Sequence, residues 1–135
     1  MAVARPNRRL GVYDMPFWEF TKKHELRLQK CDDCGKWRWP PAPICDKCLS
    51  DKATWTLVKG TGNIKAWITF HRQYFPELPP PVHIILVELP EGPLFISDPV
   101  DIPVGEMKEG MPVKLTWIDA QDKAGEFGLP VFARA

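Results

Sequence analysis

Cys31-Asp32-Asp33-Cys34 and Cys45-Asp46-Lys47-Cys48 are two CxxC pairs with ten residues between them. Each pair lets the chain fold into a knuckle with two thiols pointing inward. Two knuckles together supply the four-sulfur tetrahedral shell that Zn2+ prefers, at Zn–S distances of about 2.3 Å. Gly35 follows the first pair, where a knuckle commonly needs a left-handed backbone residue. Iron in a rubredoxin-type four-thiolate site shares this geometry and is the lesser alternative. A redox dithiol fits worse, because a redox CxxC is normally single and opens a helix. All four cysteines of the chain are used by this arrangement, so none is left over as a nucleophile. The expected centre is closed and structural.

Around this pinned segment the chain has 135 residues, with 18 basic and 17 acidic side chains and 15 prolines. The length suits one medium domain or two small ones. At 44% hydrophobic and 26% charged, the composition is that of an ordinary globular protein. Proline at roughly twice its average usage argues against long helices, whose interiors it breaks. A formal net charge of +1 argues against broad electrostatic capture of nucleic acid. No stretch approaches the ~18 apolar residues of a membrane span. The first 15 residues carry basic groups with no apolar run behind them, so no secretory signal is expected. The expected compartment is the cytoplasm, where four cysteines suit a metal better than disulfides.

The pattern divides the chain into three parts. Residues 1–13, with Arg5, Arg8 and Arg9 and no apolar period, form an expected flexible N-terminal arm. Residues 14–59 hold a helix, the metal ribbon and a linker. Asp14 can cap the helix and Pro16 is tolerated in its first turn. Phe17, Phe20, Thr21 and His24 then recur at helical spacing, predicting a helix over residues 14–24. Leu26 to Gln29 alternates and predicts a short strand into Cys31, and residues 49–60 look like a link. Residues 60–135 read as strands. Ile64, Ala66, Ile68 and Phe70 alternate with Lys65, Trp67, Thr69 and His71, predicting a half-buried strand. Residues 82–89 and 94–97 flank a Pro-Glu-Gly-Pro turn and predict a hairpin. Strands over residues 113–118 and 131–133 complete five, the size of a small Greek-key barrel such as the OB-fold.

Catalytic signals are weak. His24, His71 and His83 lie on separate elements, and no GxSxG, HExxH, P-loop or GxGxxG pattern occurs. The acids Asp98, Asp101, Glu106 and Glu109 share a loop and suit solvent better than a catalytic pair. The ten-residue insert between the cysteine pairs carries Lys36, Trp37, Arg38 and Trp39 on a proline-stiffened frame. It suits a rigid surface for a partner or nucleotide equally as well as a cover for a tiny ribbon core. The long loop 72–81 displays Tyr74 and Phe75 between prolines, as a docking surface with little entropy left to lose would. By its residues the chain looks like a binding or scaffolding subunit, not an enzyme on its own.

The order of these pieces resembles the acyl-CoA-associated zinc-ribbon/OB-fold family, long called a domain of unknown function (number thirty-five). The resemblance runs over about residues 14–135. It is carried by Phe17-Trp18-Glu19-Phe20, the two cysteine pairs with Pro40-Pro41, then Trp55, Gly60-Thr61-Gly62 and Thr69-Phe70-His71-Arg72. Val87 to Pro93 and Gly110-Met111-Pro112-Val113 complete it. Pro43 and Asp46 depart from the family's more usual Arg and Pro. The resemblance implies a mainly β fold, with an N-terminal helix and rubredoxin-like zinc ribbon followed by a five-stranded OB-fold barrel. It implies structural Zn2+ on Cys31, Cys34, Cys45 and Cys48. It also implies a hetero-oligomer with a thiolase-like partner, such as a thiolase, acyltransferase or aldolase and sometimes a hydratase. Catalytic residues would sit on that partner, and acyl-CoA would be bound with it. Trp37, Trp39, Tyr74 and Phe75 are then candidate partner or channel contacts, and Lys36 and Arg38 candidate CoA phosphate contacts. The alternative is a single-stranded nucleic-acid module, which needs aromatic platforms in a basic groove; the near-neutral charge disfavours it.

Overall fold

A computed structural model describes residues 2–135; Met1, the first residue of the expected arm, lies outside it. The one α-helix among the described residues, α1, spans Met15–Thr21 and buries Phe17 and Thr21. Pro16 stands in its first turn, as expected, but Asp14 makes no side-chain cap. The helix stops short of His24 because that residue takes a left-handed conformation, with φ 58°. The ribbon is a three-stranded sheet: β2 (Arg27–Cys31) lies between β3 (Trp37–Arg38) and β4 (Ala53–Leu57). β4 falls in the stretch expected to be a link. Its Ala-Thr-Trp-Thr-Leu alternates over only five residues, and β2 offers five residues for it to pair with.

The barrel half contains β5 (Thr61–Phe70), β6 (Val82–Glu88), β7 (Leu94–Ser97), β8 (Pro99–Val100), β9 (Pro112–Asp122) and β10 (Gly125–Arg134). They follow the order β7-β6-β5-β9-β10-β8. Asp98 alone separates β7 from β8, so one segment lies against β6 at one end of this path and against β10 at the other. The sheet thereby returns on itself. At that point Phe132 N donates to Asp98 O at 3.1 Å, and the buried Ser97 hydroxyl donates to Pro130 O at 2.8 Å. The last strand is much longer than the three residues expected, since β9 and β10 form one continuous hairpin from Val113 to Arg134.

β5 departs from simple alternation. Its register with β6 shifts between Ile64 and Ala66, the mark of a β-bulge. One extra residue reverses which side chains face inward. Ile64 is buried, but beyond the bulge Trp67 and Thr69 turn inward while Ile68 and Phe70 are 54% and 37% exposed.

The ribbon and barrel share one hydrophobic core. Phe17 of the helix lies 4.8 Å from Trp39 of the ribbon insert, and Trp39 lies 4.9 Å from Phe95 of β7. The helix also closes directly on β10. A Cβ at Gly128 would sit 2.2 Å from Thr21 O, so this crossing admits only glycine.

The segment expected to be a flexible arm is laid along the barrel instead. A two-residue strand, β1 (Val3–Ala4), pairs in parallel with Ala120 and Gln121 of β9. Arg8 anchors it: Nε and Nη2 donate to the two Asp122 carboxylate oxygens at 2.7 and 3.1 Å. Its guanidinium also stacks over Phe127, 4.0 Å from the ring centre. Both side chains are almost wholly buried. Charge pattern alone suggested solvent for this arginine; a buried carboxylate at the β9–β10 turn captures it. The Arg8 hydrogen bonds hold Asp122 down to about 2 from the ordinary 3.8, against the cost of burial. Because the folded value is depressed, the pair's stabilisation is complete above about pH 4 and fades as pH falls toward 2. Replacing Arg8 by Ala strands the carboxylate, with an expected loss of about 3 kcal/mol at neutral pH. Urea titrations at pH 7 and pH 2 check this: the gap between variant and wild type should narrow at the lower pH.

Candidate functional site

The two knuckles are built alike. Cys31 N donates to Lys36 O at 2.8 Å and Gly35 N to Cys31 O at 3.0 Å; Cys45 N donates to Ser50 O and Leu49 N to Cys45 O, both at 2.9 Å. Each knuckle closes on a left-handed residue, Gly35 with φ 76° and Leu49 with φ 64°. Gly35 was legible in the sequence. Leu49 was not, since a leucine side chain resists that conformation, and only the repeated hydrogen-bond pattern exposes its role.

The four sulfurs all lie within 4.8 Å of one another. Cys31 and Cys48 are 3.5 Å apart, as are Cys34 and Cys45. A tetrahedron with metal–sulfur distances of about 2.3 Å has edges of about 3.8 Å, so the cluster has the size of an S4 site. Electrostatics point the same way. Backbone N–H groups of Cys34 and Asp33 draw the Cys31 thiol down to about 6. Those of Cys48 and Lys47 lower Cys45. At Cys48 the Ser50 N–H also lowers the value, but desolvation and the three neighbouring sulfurs outweigh it and raise the thiol to about 12. Four thiolates this close repel one another, and a divalent cation is what allows all of them to ionise. These cysteines are the one cluster among the described residues able to hold a metal.

The candidate contact residues of the insert separate by environment. Arg38 is 5% exposed. Its guanidinium donates to Ala42 O at 3.3 Å and Ser50 O at 3.0 Å, tying the insert to the second knuckle. Its terminal nitrogens are committed to these carbonyls, which makes Arg38 a brace of the insert first and leaves little of it exposed for a phosphate. Trp39 is built into the aromatic core. Lys36 is exposed and pairs with Asp46 at 2.7 Å, which raises the lysine and lowers the aspartate. Lys36, Trp37, Trp39 and the small exposed part of Arg38 line a groove of roughly 550 Å3 whose far wall is the turn Glu91-Gly92-Pro93. Tyr74 and Phe75 stand elsewhere. They are 65% and 48% exposed and border a separate apolar cleft of roughly 170 Å3 with Phe70 and Leu78.

The histidines are held in separate local contacts. His24 stacks on Trp117 and lies 2.9 Å from Asp119; His83 Nδ1 lies 3.0 Å from the Thr69 hydroxyl. In the acidic loop Asp98 pairs with Arg5 at 3.2 Å, and Glu106 pairs with Arg134.

Comparison with known proteins agrees with this architecture. Residues 18–53 match the model of the ChsH2 rubredoxin-like zinc ribbon domain, and residues 55–118 that of the ChsH2 C-terminal OB-fold domain. The chain is 36% identical over 123 residues to a probable enoyl-CoA hydratase alpha subunit from Thermomonospora curvata, covering 90% of this chain and 38% of that protein. It is 33% identical over 106 residues to the 3-oxo-4,17-pregnadiene-20-carboxyl-CoA hydratase alpha subunit of Mycobacterium tuberculosis, covering 78% of this chain and 34% of that protein. The chain thus spans little more than a third of these two relatives. A DUF35 domain-containing scaffold protein from Pyrococcus furiosus is 30% identical over 73% of this chain and 74% of its own length. Among solved structures, a chain of an Ltp2-ChsH2(DUF35) aldolase superposes with a TM-score of 0.84 at 31% identity, covering 95% of this chain and 98% of that one.

The inward-turned guanidinium carries the prediction here. Replacing Arg38 by Ala orphans the carbonyls it binds and should cost about 2–3 kcal/mol, read as a lower urea midpoint. Lysine at this position should not restore it, lacking the planar fork. An unchanged midpoint for the alanine variant would return Arg38 to the list of surface contacts.

Proposed function

Given that the chain belongs to the ChsH2/DUF35 family of zinc-ribbon and OB-fold proteins, we propose that it is a non-catalytic subunit of a thiolase-like acyl-CoA enzyme complex. The observation that carries this reading is the correspondence of nearly the whole chain to one subunit of an Ltp2-ChsH2(DUF35) aldolase, at a TM-score of 0.84. The two hydratase alpha subunits point to the same substrate class, since both are named for CoA thioester chemistry. On this reading the thioester chemistry, whether acyl transfer, thiolysis or aldol cleavage, belongs to the partner chain. This chain stiffens the assembly and shapes the acyl-CoA channel. On this reading the complex works in the cytoplasm, where cysteines serve as metal ligands more readily than as disulfides. No helix among the described residues is long and apolar enough to cross a membrane.

Cys31, Cys34, Cys45 and Cys48 hold a structural Zn2+, for which the mutual spacing of their sulfurs is suited. The metal's part is to keep two short knuckles folded. The groove of Trp37 and Trp39 faces the acyl-CoA, with Lys36 the cation at its rim to meet a CoA phosphate. Arg38 is omitted from that role because it is 5% exposed and both its terminal nitrogens are held on carbonyls.

Two expected outcomes follow. Cys31→Ser should release zinc, measured by mass spectrometry of the metal, and should bring ribbon amides to near-unprotected exchange, because structural metal binding is folding energy. A wild-type chain that is zinc-free and equally stable would sink the assignment. Co-expression with a thiolase-like protein from the same source should yield a stable hetero-oligomer that turns over acyl-CoA, while this chain alone does not. If the two elute separately, the accessory role fails for that partner.

A further inference from the structure

Beyond the bulge in β5, three strands present one continuous apolar face to solvent. Direct cross-strand pairs put Ala66, Leu86 and Ile96 in one row, Ile68 beside Ile84, and Phe70 beside Val82. Residues paired in this way share a face. This is the outer surface of the barrel, since the alternate residues Ile85, Val87 and Phe95 fill the core. Ile96 is 68% exposed and Ile68 54%. At roughly 200 Å2 per large side chain, the exposed parts of Ile68, Phe70, Tyr74, Phe75, Leu94 and Ile96 amount to on the order of 600 Å2. That is the upper end of what a lone protein leaves uncovered and approaches the ~800 Å2 each partner buries in a standard interface.

The face is a trough. On one side the loop carrying Tyr74, Phe75 and Leu78 overhangs Phe70, Val82 and Ile84 and encloses the apolar cleft described above. On the other, Trp39, Pro40 and Pro41 of the ribbon insert border Ile84 and Ile96 across a second, mostly apolar cleft of roughly 390 Å3. Ile84 belongs to both clefts, so the floor is continuous from ribbon to barrel. The two proline-stiffened segments, far apart in sequence, are its walls. A surface concave between two rigid walls does not close against a second copy of itself; it needs a convex occupant.

We propose that this trough is where the catalytic subunit docks, through a convex aliphatic segment laid along β5, β6 and β7 between the two walls. The proposal rests on the accessory-subunit reading above and adds the surface that serves it. The bulge is what makes the interface, by turning Ile68 and Phe70 outward.

The test uses the complex co-expressed with a thiolase-like protein from the same source. Ile68→Glu and Ile96→Glu place a charge on an exposed floor, so the fold should hold. Ile68→Thr, which keeps strand propensity, serves if either does not. Leu57→Glu, at a residue 54% exposed on the ribbon, is the control. Each glutamate should weaken the complex at least tenfold by titration, with the thermal midpoint of the isolated chain and zinc content unchanged, while Leu57→Glu binds as wild type does. Wild-type affinity in the glutamate variants overturns this surface and leaves the accessory role standing. Failure of the wild-type chain to bind overturns the accessory role itself. A dimer of the isolated chain that Ile96→Glu dissolves overturns the choice of occupant in favour of a second copy.

Discussion

Phe17, Trp39 and Phe95 come from three segments that are otherwise unrelated: the helix, the insert between the cysteine pairs and the short barrel strand β7. Their rings meet in one cluster, with Phe95 reaching on to Phe132 of the last strand. Neither half of the chain has enough apolar material for a core of its own, as expected of pieces this small. The cluster solves the shortage for both at once, and other contacts depend on it. The helix must lie low enough on the barrel for Phe17 to enter, which brings Thr21 O against the bare backbone of Gly128. The insert must reach across from the ribbon, which the buried Arg38 allows by fixing it to the second knuckle. The sulfur cluster in turn sets where the insert begins and ends.

Much of this was legible in the sequence. The cysteine spacing carried the ribbon, and hydrophobic alternation with turn residues carried the hairpins. The family match was carried by the order of short motifs, each weak alone. What escaped the sequence was decided by partners distant along the chain. The short alternation of Ala53–Leu57 is fixed as β4 by its pairing along β2. Arg8 is buried because Asp122 waits at the far end of the chain. The alternation from Ile64 to Phe70 was read as unbroken, and a single bulged residue reversed its second half.

The candidate site divides in the same way. The four cysteines came together as their spacing demanded. The six proposed contact residues did not form one patch: Lys36, Trp37, Arg38 and Trp39 share a groove, with Arg38 mostly buried and Trp39 also packed on the core, while Tyr74 and Phe75 went to another face. A tally of aromatic and cationic residues on a stiff loop records that the loop is built for contact. It does not separate contacts made within the chain from those made beyond it. The insert proved to be both alternatives at once, with Trp39 covering the core and its neighbours facing out.

The crossing at Gly128 also has a meaning in time. β10 pairs with β9, receives β8, and carries the glycine on which the helix rests. It leaves the ribosome after every other described strand, and the helix and arm that need the barrel are made before it. The knuckles can close early, since their contacts are local. Trp18, which packs on Phe127, and Thr21, which meets Gly128, wait for the C-terminal hairpin to be in place. A fold whose two ends complete each other has high contact order, and such folds assemble slowly and late. During synthesis this chain therefore passes through a stage in which the ribbon is formed and its aromatic helix is still bare. At that stage the nascent chain has most need of protection from aggregation.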